Sequence, residues 1–177
     1  MVYKIFLTGL FSFEKRVRMN NQIELEGFKA LIFKVGEEEY GVHITQVVSI
    51  ERMQAITPYP NRPPHVLGVT TIREVVTPIV DVRTALTGES LKPTDDMRII
   101  VVQTSDHAIG LVVDAATDVL DIAKDTIQHS NLIEEKEVSY LLGISKLGNR
   151  LIILLDIEKL LEDTTNLDEL KEIKNTL

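Results

Sequence analysis

Cysteine and tryptophan are absent from this 177-residue chain, and aromatic residues of all kinds make up only 5% of it. Without cysteine there is neither a disulfide framework nor a thiolate metal site, which suits a reducing compartment. The chain also has no excess of basic charge, since its formal net charge is -8 at pH 7. A protein that holds a nucleic-acid backbone needs a basic face, so no nucleic acid is expected among the partners.

Long hydrophobic runs are missing as well. A membrane-spanning helix needs about 20 consecutive apolar residues, so no direct membrane insertion is expected. The absence of cysteine leads us to predict a cytoplasmic location. Hydrophobic residues nevertheless make up 44% of the chain. That share is enough to bury a sizeable core, in one domain or in two small units that share a core.

The first eighteen residues differ from the rest, because they carry four basic residues and one acidic residue around a short apolar run. That run lies near the short limit for a signal peptide, is interrupted by polar residues, and is followed by no small-x-small cleavage site. We interpret residues 1–27 as a flexible extension, with Met19 as an alternative natural start. The rival interpretation is a weak membrane-surface anchor.

An internal repeat is the most informative feature of the sequence. Residues 67–86 (LGVTTIREVVTPIVDVRTAL) align without a gap with residues 142–161 (LGISKLGNRLIILLDIEKLL). Residues 31–50 align in the same way with residues 100–119, and the two pairs occur in the same order. The chain is therefore built twice from one plan. We expect similar halves at about 28–90 and 97–162, followed by a helical tail at 163–177.

The local patterns are mostly those of β-structure. Residues 30–35 are apolar and β-branched, residues 36–39 form a charged turn, and the strand then resumes, which predicts a hairpin. A second hairpin is predicted with strands at 99–103 and 109–113. Each half offers four or five short strands at the spacing of a small barrel or sandwich, and closure into a barrel would remove exposed strand edges.

Prolines interrupt residues 57–65, which predicts a surface loop there. Short helices are predicted at 81–86, 156–163 and 167–177. Asp81 and Asp156 are repeat-equivalent and stand where the first two of these helices begin. We therefore expect each to cap its helix by accepting hydrogen bonds from free backbone N–H groups.

Catalytic and metal-binding motifs are not found in the sequence. The four histidines are far apart, with no pair at i, i+4, so no metal site is predicted. Nucleophile elbows, phosphate-binding loops and dinucleotide-binding glycine patterns are also missing. Neither catalytic residues nor a cofactor is therefore predicted.

Four segments together resemble one family: LIFKVGEEEYGVHITQVVSI, GVTTIREVVTPIVDVR, GLVVDAATDVLDI and YLLGISKLGNRLIILLDIEKLL. Their order and spacing are similar to those of CheW, the bacterial chemotaxis coupling proteins, over about residues 28–162. The resemblance implies a mainly all-β fold of two five-stranded SH3-like β-barrels around a shared hydrophobic core, with short helices and a C-terminal helix. Exchange of strands between the barrels is left open.

The resemblance also implies a function and its partners. Members of this family are non-enzymatic adaptors that join the regulatory domain of the histidine kinase CheA to the cytoplasmic hairpin tip of methyl-accepting chemoreceptors. The family's Asn-Leu-Arg-Gly turn places its arginine at Arg73, on the receptor side. The other receptor-side positions carried over are Val47, Ser49, Gly68, Ala116 and Gly143, while the kinase-binding residues stay unknown.

Each of these positions has a structural alternative. Arg73 fits a solvated turn residue paired with Glu74, and duplicated strand geometry alone explains the two glycines, Val47 and Ala116. The sequence also departs from the family, with Thr71 for the usual Asn, Glu74 for the usual Gly, and His43 for a common acidic residue. Glu74 thus occupies a position that favours a positive φ. A specialised paralogue of another chemosensory pathway is therefore a second interpretation.

The sequence leaves three further alternatives. A coupling protein of the CheV type needs a receiver domain after this module, and about fifteen residues remain beyond residue 162. A small-ligand-binding β-barrel is the second alternative. The third is a hydrolase that uses isolated acids such as Asp114 and Asp118, for which the sequence offers no base, nucleophile and oxyanion set.

Overall fold

The computed structural model describes residues 28–105, 107–128 and 138–164. Within these ranges the chain forms eleven β-strands and two short α-helices. They are β1 (Phe28–Val35), β2 (Glu38–His43), β3 (Val47–Arg52), β4 (Val66–Ile72), β5 (Val75–Asp81), α1 (Val82–Thr87), β6 (Arg98–Gln103), β7 (Ala108–Val113), β8 (Ala115–Ile122), β9 (Ile127–Gln128), β10 (Leu141–Leu147), β11 (Arg150–Leu155) and α2 (Ile157–Thr164). The predicted N-terminal extension and the helix predicted at 167–177 lie outside the described residues.

The strands form two mixed sheets. One has six strands in the order β8-β1-β2-β11-β10-β9, and the other has five in the order β3-β6-β7-β5-β4. Each sheet joins a hairpin from one half of the chain to a hairpin from the other half through a parallel pair, β2 with β11 and β5 with β7. The third strand of each half crosses to the opposite sheet, since β3 pairs with β6 and β8 pairs with β1.

The repeat predicted from the sequence is confirmed, because both halves run hairpin, third strand, hairpin and short helix in the same order. The hairpin strands correspond as predicted, although β2 begins at Glu38, inside the predicted turn. The two-residue β9 gives the six-stranded sheet its extra strand. The boundaries of the two halves as domains stay a prediction.

Three hydrophobic clusters hold the sheets. Alternation along β1 shows how they divide: Leu31 and Phe33 lie in a large cluster shared by both sheets, whereas Ala30 and Ile32 lie in a smaller cluster within the six-stranded sheet. The five-stranded sheet contains the third and smaller cluster, which includes Ile79. Full burial of each larger side chain among these, such as leucine, isoleucine or phenylalanine, stabilises the fold by about 1.5–3 kcal/mol. The mainly β fold around a shared core is thus confirmed.

Both predicted capping aspartates are confirmed. The buried Asp81 accepts hydrogen bonds from Arg83 N at 3.0 Å and from Thr84 Oγ1 at 2.5 Å, and Asp156 Oδ1 accepts one from Lys159 N at 3.1 Å. Each helix begins one residue after its aspartate, because a capping residue itself keeps an extended backbone. No helix in the described part of the chain is long and apolar enough to cross a membrane.

The proline-rich loop closes the five-stranded sheet beside β4. Thr57 and Val69 exchange backbone hydrogen bonds of 2.8 and 2.9 Å, and Thr70 Oγ1 donates to Ala55 O at 2.8 Å. The chain that leaves β3 therefore runs along β4 before the prolines turn it away. This arrangement brings the end of β3 close to the turn between β4 and β5.

Candidate functional site

The turn that carries Arg73 is a two-residue loop between β4 and β5. Both central residues are left-handed, with φ 50° at Arg73 and 68° at Glu74. Positive φ at both positions is the mark of a type I′ turn, which matches the twist of the flanking strands and is usually built from Asn-Gly. The expected positive φ at Glu74 is confirmed, and Arg73 shares it. A left-handed conformation costs a non-glycine residue about 1 kcal/mol or more.

Arg73 is paired with Glu51 of β3 and not with its neighbour. Its Nε lies 3.4 Å from Oε1 of Glu51, and its side chain is 71% exposed. That Oε1 atom is buried and has no hydrogen-bond partner, so the nearby positive charge is what compensates its burial. The expected alternative, a pair between Arg73 and Glu74, is therefore wrong, since Glu74 forms no ion pair with any described residue.

The guanidinium of Arg73 approaches Glu51 most closely through its Nε atom. Its two Nη groups make no hydrogen bond to the described residues. A planar guanidinium can donate two parallel hydrogen bonds to one carboxylate, and this fork is the part of Arg73 left open. The arrangement is suited to the capture of an acidic group on another molecule.

Exposed apolar side chains lie on the same two elements. Along β3 the residues alternate, so that Val48 and Ile50 are 52% and 46% exposed while Ser49 is half-buried. Val75, which follows the turn, is 45% exposed. Exposed apolar residues and arginines are both common in the centre of protein interfaces. We call the exposed residues Val48, Ile50, Arg73, Glu74 and Val75 the β3–turn surface, in which Val48 and Ile50 lie on the face of β3 opposite to that of Glu51.

Two predicted site residues lie on β3 behind this surface. Val47 is half-buried and packs against the shared core. Ser49 is half-buried, and its Oγ atom has no hydrogen-bond partner among the described residues. The side chain of Val47 thus contacts the core. Ser49 lies on the same face of β3 as Glu51, the partner of Arg73.

The two predicted glycines have a steric role. Gly68 is buried in β4 with φ 144°, and a Cβ atom there would lie 2.2 Å from Thr57 O. Gly143 is its repeat equivalent in β10, where a Cβ atom would lie 2.8 Å from Ile127 Cγ2. Both positions let a neighbouring segment pair with the strand at close range, which a side chain would prevent.

Ala116 belongs to a different part of the molecule. It is half-buried in β8, opposite Phe33 in the six-stranded sheet, which also contains Gly143. The other predicted positions, Val47, Ser49, Gly68 and Arg73, belong to the five-stranded sheet or to its turn. The structure therefore brings Arg73 together with the strand of Val47 and Ser49.

Each of the two acids considered for a hydrolase forms an ion pair with an arginine. Asp114 accepts a hydrogen bond of 2.6 Å from Gly36 N and pairs with Arg83. Asp118 lies 2.8 Å from Nη2 of Arg150, which also donates to Glu39. The first ion pair links the junction between β7 and β8 to α1, and the second links β8 to β11, so both acids have a structural role. The described ranges contain no cluster of three or more potential metal ligands.

Arg150 makes the most complete of these contacts. Its Nε and Nη2 atoms donate to both carboxylate oxygens of Glu39 at 3.0 and 2.6 Å, which ties β11 to β2. The hydrogen bonds from Arg150 lower the pKa of Glu39, and those to Glu39 and Asp118 raise the pKa of Arg150. The repeat equivalent of Arg150 in the five-stranded sheet is Val75. This position therefore carries an ion pair in one sheet and an exposed apolar side chain in the other.

His43 stabilises the entrance to β3. Its ring stacks on Phe28 with centroids 5.3 Å apart, and its Nδ1 accepts a hydrogen bond of 3.2 Å from Thr45 N. It thereby caps the 3-10 turn Ile44–Gln46 that carries the chain from one sheet to the other. Burial lowers the pKa of His43, which keeps the ring neutral and able to accept.

Glu51 is the residue that sequence reasoning missed. In VVSIER, apolar residues fall on both faces of the strand, so alternation alone does not show which face is exposed. Its pairing with Arg73 is a contact between residues that are 22 positions apart in the sequence. The available signal was a glutamate that directly follows the apolar and small residues of the strand.

Comparisons with known proteins agree with this architecture. The CheW-like domain family matches residues 29–165. The chain is 35% identical over 139 residues to the chemotaxis protein CheW of Klebsiella aerogenes, covering 78% of this chain and 84% of that protein. It is 34% identical over 137 residues to CheW of Bacillus subtilis, covering 77% and 88%.

A solved structure shows the same fold. The crystal structure of the scaffolding protein TtCheW from Thermoanaerobacter tengcongensis superposes with a TM-score of 0.68 and 26% sequence identity. The match covers 75% of this chain and 86% of that one. The family match over most of the chain, the related sequences and the shared fold lead to one conclusion: the chain belongs to the CheW family of chemotaxis scaffold proteins.

Proposed function

We propose that this protein is a non-enzymatic, cytoplasmic adaptor that couples the cytoplasmic hairpin tips of methyl-accepting chemoreceptors to the regulatory domain of the histidine kinase CheA. Membership of a family of chemotaxis scaffolds supports this role. The observation that carries the proposal is the exposed Arg73, whose Nη groups make no hydrogen bond to the described residues, in a turn followed by the exposed Val75. Association with membrane receptor arrays is then made through the partners.

Arg73 is the anchor of the proposed receptor contact. Its Nη groups can hold a carboxylate or a backbone carbonyl of the receptor hairpin. Val75 adjoins the turn, and Val48 and Ile50 of β3 are further exposed apolar residues that a partner could cover. An arginine surrounded by groups that exclude water is typical of the few residues that carry most of the binding energy of an interface.

Scaffolding needs no chemistry of its own. Two modest interfaces on one rigid body raise the effective concentration of kinase near receptor, which increases occupancy by about 100-fold or more. Signal then passes because receptor conformations differ in their affinity for the adaptor and kinase. The shared core is consistent with such a rigid body, since it packs residues of both sheets together.

The test is calorimetric binding of wild type and Arg73→Ala to a receptor cytoplasmic fragment and, separately, to the CheA regulatory domain. Loss of a central arginine costs about 2 kcal/mol, so the variant should bind the receptor about thirtyfold more weakly. Its affinity for CheA should not change. Arg62→Ala is the matched control, because Arg62 is also an exposed arginine but lies in the proline-rich loop and donates to Tyr59 O.

The outcomes separate the parts of the proposal. Wild type that binds neither partner overturns the adaptor function. If wild type binds both partners and Arg73→Ala binds the receptor equally well, the function stands and the site is wrong. Circular dichroism of each variant shows that a loss of binding is not a loss of folding.

The second candidate is a specialised paralogue that serves another chemosensory pathway. Glu74 in the strained turn favours it, because a glutamate there changes the charge that a receptor meets. Binding to fragments of each receptor class from the same organism distinguishes the two. Preference for one class over the others by tenfold or more, about 1.4 kcal/mol, supports the specialised paralogue.

A further inference from the structure

The Arg73–Glu74 turn is built from residues that do not suit its conformation. Two other hairpins in the described residues also have two-residue turns, and each starts on a glycine, Gly36 with φ 64° and Gly148 with φ 59°. The β4–β5 turn has positive φ at two residues and a glycine at neither. Strain of this kind persists where the side chains serve a function, so both side chains need an explanation.

The fold does not use the charge of Glu74. Its side chain is exposed and forms no ion pair with any described residue, and Arg73 is already paired with Glu51. Neutralisation of Arg73 therefore does not account for a glutamate at this position. Glycine there would relieve the strained φ at no loss of an ion pair or hydrogen bond to the described residues.

A partner that meets Arg73 also meets Glu74. Their Cα atoms are consecutive, about 3.8 Å apart, so a surface that brings a carboxylate to Arg73 has groups within reach of Glu74. A second carboxylate there would be repelled, whereas a lysine or arginine would be attracted. Repulsion of a wrong partner is a common source of specificity.

We propose that Glu74 is a specificity-determining residue, which selects receptor tips that place a lysine or arginine opposite it, next to the acidic group that meets Arg73. The turn thus presents a positive charge next to a negative one. The receptor tip would place an acidic group opposite Arg73 and a basic group opposite Glu74. This inference rests on the proposed function, since it names a feature of the receptor that the adaptor would bind.

The experiment measures binding of Glu74→Gln and Glu74→Lys to a receptor cytoplasmic fragment from the same organism. A rim ion pair contributes modestly, so Glu74→Gln should weaken binding about threefold, and charge reversal in Glu74→Lys about tenfold. Glu37→Gln is the matched control, because Glu37 is an exposed glutamate in the β1–β2 turn of the other sheet. Glu37→Gln makes the same change in net charge as Glu74→Gln and should leave the affinity for the receptor fragment unchanged.

A second arm identifies the receptor residue. Each lysine and arginine of the receptor tip is changed to glutamine and tested against wild type and Glu74→Gln in double-mutant cycles. One of them should show coupling, so that Glu74→Gln has no further effect in its presence. Added salt should weaken wild-type binding more steeply than binding of Glu74→Gln.

The outcomes distinguish this inference from the proposed function. If wild type binds the receptor fragment, and Glu74→Gln binds as tightly or more tightly, Glu74 does not select a cation and the inference is overturned while the function stands. Absence of coupling at every basic position of the tip overturns it as well. Wild type that fails to bind the fragment overturns both proposals.

Discussion

Glu51 and Arg73 bring the end of β3 against the turn between β4 and β5, with Oε1 of Glu51 lying 3.4 Å from Nε of Arg73. The side chain of Arg73 is 71% exposed and that of Glu51 is 25% exposed. Solvent screens a pair of this kind, so it contributes little to stability. Its consequence is positional, because the contact fixes one edge of the guanidinium and leaves the other edge for a partner.

The first prediction tests whether Glu51 positions Arg73 for binding while contributing little to the stability of the fold. Glu51→Ala should change the free energy of unfolding by less than about 1 kcal/mol, because solvent screens the exposed Arg73 and the variant also removes a buried oxygen that has no hydrogen-bond partner. Receptor binding should weaken about threefold to fivefold, because Arg73 must then be ordered on binding. Denaturant unfolding and calorimetry measure the two effects. Glu89→Ala, which removes the exposed partner of Arg83, is the control, and an unchanged receptor affinity for Glu51→Ala contradicts the positional role.

The second prediction concerns the contact that ties β11 to β2. Arg150→Ala leaves Glu39 without its bidentate partner, so it should destabilise the protein by about 1–3 kcal/mol. Lys29→Ala removes an exposed pair with Asp121 and should cost less than about 0.5 kcal/mol. Equal effects of the two variants in urea unfolding would show that the Arg150 contact is no stronger than a surface pair.

The same contact predicts a pH dependence. Arg150 lowers the pKa of Glu39, so Glu39 adds stability that is present above its unfolded pKa of about 4.3 and is lost as the pH falls through the lowered folded value. Wild type should therefore lose more stability than Arg150→Ala between about pH 6 and about pH 3. Parallel loss in the two proteins would show that Glu39 does not contribute through Arg150.

The third prediction concerns His43. Burial lowers its pKa, so its contribution to stability is full above the unfolded pKa near 6.5 and is lost as the pH falls through the lowered folded value. His43→Asn keeps an acceptor for Thr45 N without a titrating group, and should lose less stability than wild type between about pH 7.5 and about pH 5.5. His65 titrates in both proteins, so the difference between them reports His43 alone.

The fourth prediction compares two glycines. Gly68→Ala should destabilise the protein by about 3 kcal/mol or more, because the new Cβ would lie 2.2 Å from Thr57 O at a φ of 144°. Gly88→Ala meets no atom within 4 Å and has only the cost of a left-handed φ, about 1 kcal/mol. Thermal unfolding measures both. Similar losses for the two variants would show that the close approach at Gly68 is readily relieved.

The sequence by itself determined the duplicated plan and its elements. Apolar and β-branched runs predicted the hairpins, and Asp81 and Asp156 predicted the helix starts to within one residue. These features depend on neighbours along the chain, where periodicity and capping act directly. Arg73 was located in its turn for the same reason, whereas the positive φ at Glu74 was expected from the glycine that the family usually has there.

Only the tertiary structure decided which strands share a sheet and which residue holds Arg73. The pairing of β3 with β6 and of β8 with β1 joins residues about fifty to ninety positions apart, and such contacts leave no local pattern. For the same reason Glu51, not the adjacent Glu74, proved to be the partner of Arg73. The β3–turn surface exists because the closing of the five-stranded sheet places the end of β3 beside a turn 22 residues further along the chain.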